Sequence, residues 1–129
     1  MSQFLSEAVM KADKIVLSSI GKATEIIDAL GSNNSKMMAS RAIHINVLMR
    51  QVPGVEARFI KTVYNDIGAE AAISHQAYYE EDGAVTDMVV MGTVYQHREV
   101  RRILSGNPKI QPWIDAISQV VENASEAQE

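Results

Sequence analysis

Hydrophobic positions change between helical and strand spacing along the chain, which predicts a protein with both helices and strands. Apolar residues three and four apart predict helices over residues 2–11 and 23–30. Between them, residues 14–19 predict a strand centred on Ile15-Val16-Leu17 and ended at Gly21. The polar run Gly31-Ser32-Asn33-Asn34 ends the second helix.

The middle of the chain predicts a helix followed by a strand. Residues 36–40 fit either a short buried strand or the start of a helix. Helical spacing resumes over residues 41–51, and Pro53-Gly54 is typical of a helix end. Residues 55–64 then alternate between apolar and polar, as a half-buried strand does.

A hairpin is predicted next. Residues 71–79 and 84–95 have strand character, and the turn-like Glu80-Glu81-Asp82-Gly83 separates them. The run Met88-Val89-Val90-Met91 is apolar on both faces, which indicates a central strand.

The C-terminal third is predicted to be helical. One helix covers residues 97–104 and ends at Gly106-Asn107-Pro108, and a second, over residues 110–121, starts near Pro112. The elements together predict an α+β two-layer sandwich: a mixed sheet of about four strands, helices packed on one face, and two C-terminal helices. We expect one domain over residues 1–122 and a flexible acidic tail over residues 123–129.

Composition excludes several classes of protein. The 129 residues suit one domain, and 47% hydrophobic content can form a core. No apolar run approaches the roughly 18 residues of a membrane helix, and the N-terminus lacks the features of a secretory signal. The absence of cysteine excludes disulfides and thiolate chemistry. These features predict a cytoplasmic protein without a membrane partner.

Charge is divided unevenly between the two halves. The net charge of −4 argues against a protein that coats nucleic acid by bulk electrostatics. However, residues 1–64 carry eight basic and five acidic residues, whereas residues 65–129 carry four basic and eleven acidic ones. This asymmetry predicts a basic face from the N-terminal half, or else reflects chance combined with an acidic tail.

A candidate anion site lies where the first predicted strand meets the second predicted helix. In Ser18–Thr24, free backbone N–H groups are placed to hold a phosphate together with Ser19, Gly21 and Lys22. The segment is not a Walker A loop, which needs an earlier glycine and a Ser or Thr directly after the lysine. The alternative interpretation is a turn followed by an N-terminal helix cap.

Other chemistry has little support. His44, His75 and His97 fall in separate elements without metal-binding spacing, so we predict no metal site and no cofactor. No nucleophile, base or carboxylate pattern supports catalysis, and a non-enzymatic protein is the more favoured prediction. Three roles are open for Arg98, Arg101 and Arg102: they contact phosphates, they pair with acidic residues of a partner, or they keep an amphipathic helix soluble.

Two segments suggest a family. Residues 35–43 (SKMMASRAI) and, after a predicted helix, residues 50–55 (RQVPGV) resemble the middle of Alba-family proteins. The strand at 15–17 with Gly21-Lys22 looks like that family's first strand and its nucleic-acid-contacting turn, so the similarity covers about residues 14–95. The resemblance implies a small dimer that binds nucleic acid. The residues that it implies in contact with the phosphate backbone are Lys22, Lys36, Arg41, Arg50 and Arg58.

The sequence therefore leads to one favoured function and two alternatives. The favoured one is a non-enzymatic nucleic-acid-binding protein, with RNA preferred to DNA because of the overall acidity. The first alternative is a homo-oligomeric interaction module whose adaptable surface comes from methionines (Met37, Met38, Met49, Met88 and Met91). The second alternative is a small anion-binding domain centred on Ser18–Thr24.

Overall fold

Six helices and three strands form the computed structural model, which describes residues 11–126. The predicted helix at 2–11 therefore lies, except for its last residue, outside the described residues. In chain order the elements are α1 (Ile20–Asp28), α2 (Ser35–Ala42), β1 (His44–Pro53), α3 (Gly54–Asp66), β2 (Glu70–Ala72), α4 (His75–Tyr78), β3 (Val85–Thr93), α5 (Val94–Leu104) and α6 (Gln111–Ser125).

The three strands form one antiparallel sheet in the order β1-β3-β2. The prediction of a central strand at residues 88–91 is confirmed, because β3 lies between the other two. The α+β class is also confirmed. The pairing among the described residues is antiparallel rather than mixed, and a fourth strand is not confirmed.

The core lies between the sheet and helices α3, α5 and α6. Side chains on one face of β1 and β3, such as Val47 and Val90, are buried and belong to the same hydrophobic cluster as Ile60, Val100 and Ile114 from the helices. On the other face, residues such as Leu48 and Val85 are half exposed. The strands therefore have one buried and one accessible face, as their alternation requires.

The predicted helix at 41–51 is wrong, because most of this segment forms β1. Val47 and Met49 are buried, whereas Asn46, Leu48 and Arg50 are exposed, which is the two-residue period of a strand. Apolar residues occur so often here that they also satisfy helical spacing. Pairing with β3, a contact distant in sequence, decides the outcome.

The predicted strand at 55–64 is also wrong, because these residues belong to α3. The buried positions Ala57, Ile60 and Tyr64 are three and four residues apart, so they form one helix face. Val55 and Phe59 produced the apparent alternation, yet both are exposed.

Pro53-Gly54 starts α3 rather than closing a helix. Pro53 occupies the N-cap position, and the backbone N–H of Gly54 donates to the carbonyl of Ala84 at 2.8 Å. A Cβ at Gly54 would lie 3.0 Å from that carbonyl oxygen, so the close approach requires glycine.

Near the N-terminus, the predicted strand at 14–19 is wrong as well. The backbone of this segment joins no sheet, and the side chains of Ile15 and Val16 are exposed. The predicted helix at 23–30 is confirmed in α1, which begins earlier, so that Gly21 lies in its first turn instead of ending a strand. The ambiguous residues 36–40 are helical, within α2.

The C-terminal half follows the predictions more closely. The hairpin prediction is right in that β2 pairs antiparallel with β3, but the intervening residues form the short helix α4. The two C-terminal helices are confirmed as α5 and α6. The tail predicted from Asn123 starts too early, because α6 continues to the fully buried Ser125.

A capping box fixes the transition from β3 to α5, and its removal gives a testable prediction. Thr93 Oγ1 accepts the backbone N–H of Gln96 at 3.1 Å, and Gln96 Oε1 accepts the backbone N–H of Thr93 at 2.9 Å. We expect Thr93→Ala to lower the free energy of unfolding by about 1 kcal/mol, measured by urea denaturation. Ser105→Ala, at the exposed other end of α5, is the control and should change it by less than about 0.5 kcal/mol. Equal effects of the two substitutions would contradict this role of the cap.

Candidate anion-binding cleft

Helix α1 begins with a side-chain cap that orders its first turn. Ser19 has an extended backbone, its Oγ accepts the backbone N–H of Lys22 at 3.1 Å, and its carbonyl accepts the N–H of Ala23 at 3.0 Å. The backbone N–H of Gly21 makes no hydrogen bond to another of residues 11–126. Free N–H groups at a helix start, with the helix dipole, favour an anion.

A cleft of about 820 Å³ opens beside this helix start. Parts of four helices form it: the first turns of α1 and α2, the middle of α5 and the end of α6. Its lining residues are Ser19, Ile20, Gly21, Lys22, Thr24, Glu25, Lys36, Arg98, Ser125 and Glu126. The three residues predicted for anion binding thus lie in one cleft, and Lys36 joins them there.

Of the three described basic residues that line the cleft, Lys22 and Lys36 make the weakest ion pairs with acidic side chains or none. The Nζ of Lys22 lies 3.9 Å from Glu25 Oε1 in a solvent-exposed pair, which contributes little stability. Lys36 makes no ion pair within residues 11–126. Both ammonium groups are therefore available to an anion at little cost.

Arg98, in contrast, is already neutralised. Its guanidinium donates to both carboxylate oxygens of Glu122, each at 2.8 Å. Hydrogen bonding in this pair raises the pKa of Arg98 and lowers the pKa of Glu122. Arg98 therefore forms part of the cleft wall, and pairing with an acid is the alternative that the structure supports for it.

Arg41 lies outside the lining of the cleft. It occupies the last turn of α2 rather than the opening of a helix, and its guanidinium lies 4.2 Å from the centre of the Tyr95 ring. This distance fits a cation–π contact. Arg41 is exposed, so an anion on this side of α2 can still reach it.

Arg50 and Arg58 lie on other elements than predicted and also away from the cleft. Arg50 is on β1, with its Nη1 at 3.6 Å from Asp87 Oδ2. Arg58 is on α3 and donates from Nη1 to the carbonyl of Ala77 at 2.7 Å, which ties α3 to α4. Of the five basic residues expected to contact phosphate, the cleft brings together Lys22 and Lys36.

His97 is buried, and both of its ring nitrogens form hydrogen bonds within the protein. His97 Nε2 donates to the carbonyl of Ile45 at 2.8 Å, so its Nδ1 is the acceptor for the Tyr64 hydroxyl at 2.7 Å. Burial is the main cause that lowers the pKa of His97 and raises the pKa of Tyr64. His44 and His75 are exposed on other elements, and no group of three or more His, Asp or Glu side chains in residues 11–126 is arranged to hold a metal ion.

Comparison with models of protein families, with curated proteins and with solved structures found no match. The resemblance to the Alba family includes a first strand at 15–17 and a helix before residues 50–55, whereas the structure has no strand at 15–17 and places the strand β1 over His44–Pro53. Among residues 11–126, none of the helices is long and apolar enough to cross a membrane. The class that the fold and cleft define is therefore an α+β protein with a partly basic cleft at a helix start.

Proposed function

We propose that this protein is a non-enzymatic nucleic-acid-binding protein that takes a backbone phosphate into the cleft at the start of α1. The observation that carries the proposal is that one cleft is lined by Lys22, Lys36 and Gly21, whose N–H makes no hydrogen bond to another of the described residues. Lysine ammonium groups and backbone N–H groups are standard donors to phosphate oxygens, and neither reads base sequence.

The charges around the cleft favour a flexible single strand over a duplex. Glu25 and Glu126 also line the cleft, and the whole chain carries a net charge of −4. A rigid duplex presents many phosphates to these acidic groups at once, whereas a single strand can place one or two phosphates beside Lys22 and Lys36 and turn the others away. RNA in an unpaired segment is therefore the proposed ligand.

A small anion-binding domain is the second candidate, because the same donors suit a free phosphate group. The two candidates differ in their dependence on ligand length. A nucleic acid gains affinity from neighbouring phosphates, for which the exposed Arg41 on α2 is a further contact. A small-anion site gains nothing from a longer ligand.

Salt dependence of binding tests the proposal. We expect labelled single-stranded RNA to bind in fluorescence anisotropy, with an affinity that falls as salt rises because phosphate contacts release counterions. Lys22→Gln combined with Lys36→Gln should reduce the slope of log affinity against log salt by about two, since two phosphate contacts are lost. Duplex DNA of equal length should bind more weakly.

Lys109→Gln combined with Arg101→Gln is the matched control, because it also removes two positive charges but at exposed sites outside the cleft lining. An equal loss of slope in this variant would show that binding is diffuse and would contradict a role for the cleft. Absence of binding at low salt would overturn the proposal. Complete displacement of RNA by millimolar phosphate would favour the small-anion alternative.

A further inference from the structure

The outer edge of β1 pairs with no other strand among residues 11–126. β1 is the first strand in the order β1-β3-β2, so one of its two edges faces β3 and the other faces outward. Unpaired backbone N–H and C=O groups along such an edge are ready to bind another strand.

The register identifies which residues face outward. The N–H of Val94 donates to the carbonyl of Ile43 at 2.9 Å, and His44 and Thr93 are the next pair in the antiparallel ladder. Hydrogen-bonded pairs alternate in such a ladder, so the odd-numbered residues Ile45 and Val47 direct their backbone groups to β3. The backbone groups of the even-numbered residues His44, Asn46 and Leu48 point outward.

The outward edge carries few of the features that block pairing. Residues 44–49 contain no proline and no Lys, Arg, Asp or Glu, and the irregularity in the ladder begins only after Met49, where Gln51 has φ of 57°. Leu48 on this segment has half of its side chain exposed. It lies in one row with Val89 of β3 and Ala72 of β2, so the accessible sheet face is apolar next to the edge.

We infer that a second copy of this chain occupies the edge, with the two β1 strands antiparallel about a twofold axis at Val47. In this register Asn46 of one copy faces Leu48 of the other. The outward donors and acceptors of Asn46 and Leu48 then meet partners, and two three-stranded sheets become one of six strands. The interface is self-complementary, as a twofold dimer requires.

Charge favours a second copy in this register. Arg50 is the charged residue within 44–50, and Asp87 of the same copy lies 3.6 Å from its guanidinium. The antiparallel arrangement separates the two Arg50 side chains by six residues, about 20 Å along the strands. Residues 44–49 contain no Lys, Arg, Asp or Glu, and the acidic residues that dominate the net charge lie on other segments, so two copies of this segment approach each other without repulsion between these charges.

Oligomeric state tests this inference without any ligand. We expect analytical ultracentrifugation of the full chain to give twice the 14.2 kDa mass of one copy, with dissociation on dilution. Asn46→Pro removes an outward N–H but no bond to β3, and should shift the protein to monomer. Leu48→Lys places a charge at the edge and should also weaken the dimer at least tenfold.

Val85→Lys is the matched control for Leu48→Lys, because both side chains are 51% exposed on the accessible sheet face, but Val85 lies on the central strand. This variant should remain dimeric. Circular dichroism establishes that each variant is folded, and Leu48→Lys keeps the test decisive if Asn46→Pro does not fold. A monomeric wild-type chain at all concentrations, or a dimer that survives both edge substitutions, overturns the inference. Loss of the dimer in Val85→Lys together with Leu48→Lys would place the interface on the sheet face and also overturn it.

Discussion

His97→Ala is expected to lower the free energy of unfolding by about 3 kcal/mol, because it leaves the buried Tyr64 hydroxyl and the partly buried Ile45 carbonyl without their histidine partner. The Tyr64 hydroxyl loses its acceptor at 2.7 Å, and the carbonyl of Ile45 loses a donor at 2.8 Å. Tyr64 and His97 are both buried, so water does not replace these hydrogen bonds without a change in packing. Urea denaturation followed by circular dichroism measures the loss.

Three further variants separate the hydrogen bonds from the general cost of a substitution. Tyr64→Phe removes the hydroxyl alone and should cost about 1–2 kcal/mol, because His97 Nδ1 is then unpartnered. In the double variant the two losses should not add, since both remove the same hydrogen bond. His75→Ala changes an exposed histidine and should cost less than about 0.5 kcal/mol. If His97→Ala is no more harmful than His75→Ala, the buried pair does not have the proposed structural role.

Segments with a single dominant period were predictable from sequence. The stripe in α6, with Ile114, Ile117 and Val121 buried, is a helix by periodicity alone. The run in β3 has no polar residue within 88–91, and it forms the central strand, with Met88 and Val90 buried and Val89 and Met91 partly buried on the other face. In both elements the local pattern and the tertiary contacts agree.

The middle of the chain was not predictable because exposed apolar residues imitate a core face. Val55 and Phe59 are exposed on α3, yet with Ala57 they create a false alternation. In β1, the exposed Leu48 lies between the buried Val47 and Met49, and three consecutive apolar residues fit the spacing of a helix as well as that of a strand. Pairing distant in sequence decides these segments, and a single sequence does not display that pairing.

The candidate site was predictable where its residues are neighbours in the sequence and was not predictable where distant segments meet. Ser19, Gly21 and Lys22 adjoin a helix start, so their grouping follows from local sequence. Lys36 joins them because α1 and α2 pack together, and Arg98 joins the cleft from a helix more than 60 residues further along the chain. Arg50 and Arg58 were grouped with the lysines through the Alba resemblance, and their partners Asp87 and Ala77 are distant in sequence.

The stability of the fold is expected to decrease as the pH falls below about 6.5, and His97 is the cause. Burial is the largest effect that lowers its pKa in the folded protein, and the charge of His44 nearby lowers it further. In the unfolded chain the pKa returns to its ordinary value of 6.5, so below this pH the unfolded state binds a proton that the folded state does not. Stability is therefore fully present above pH 6.5 and is lost toward the lower folded pKa.

Urea denaturation at intervals between pH 7.5 and pH 5 measures this loss, which should reach at most about 1.4 kcal/mol per pH unit. The carboxylates with lowered pKa values, Glu70, Glu99 and Glu122, lose their contributions below their ordinary pKa of 4.5, so they act outside this window. His97→Gln is the decisive variant, because an amide side chain can still hydrogen-bond but does not titrate. Its stability should be nearly constant from pH 7.5 to pH 5. An equal slope in the wild-type protein and in His97→Gln would assign the pH dependence to other groups, because the variant carries no titrating group at this buried position.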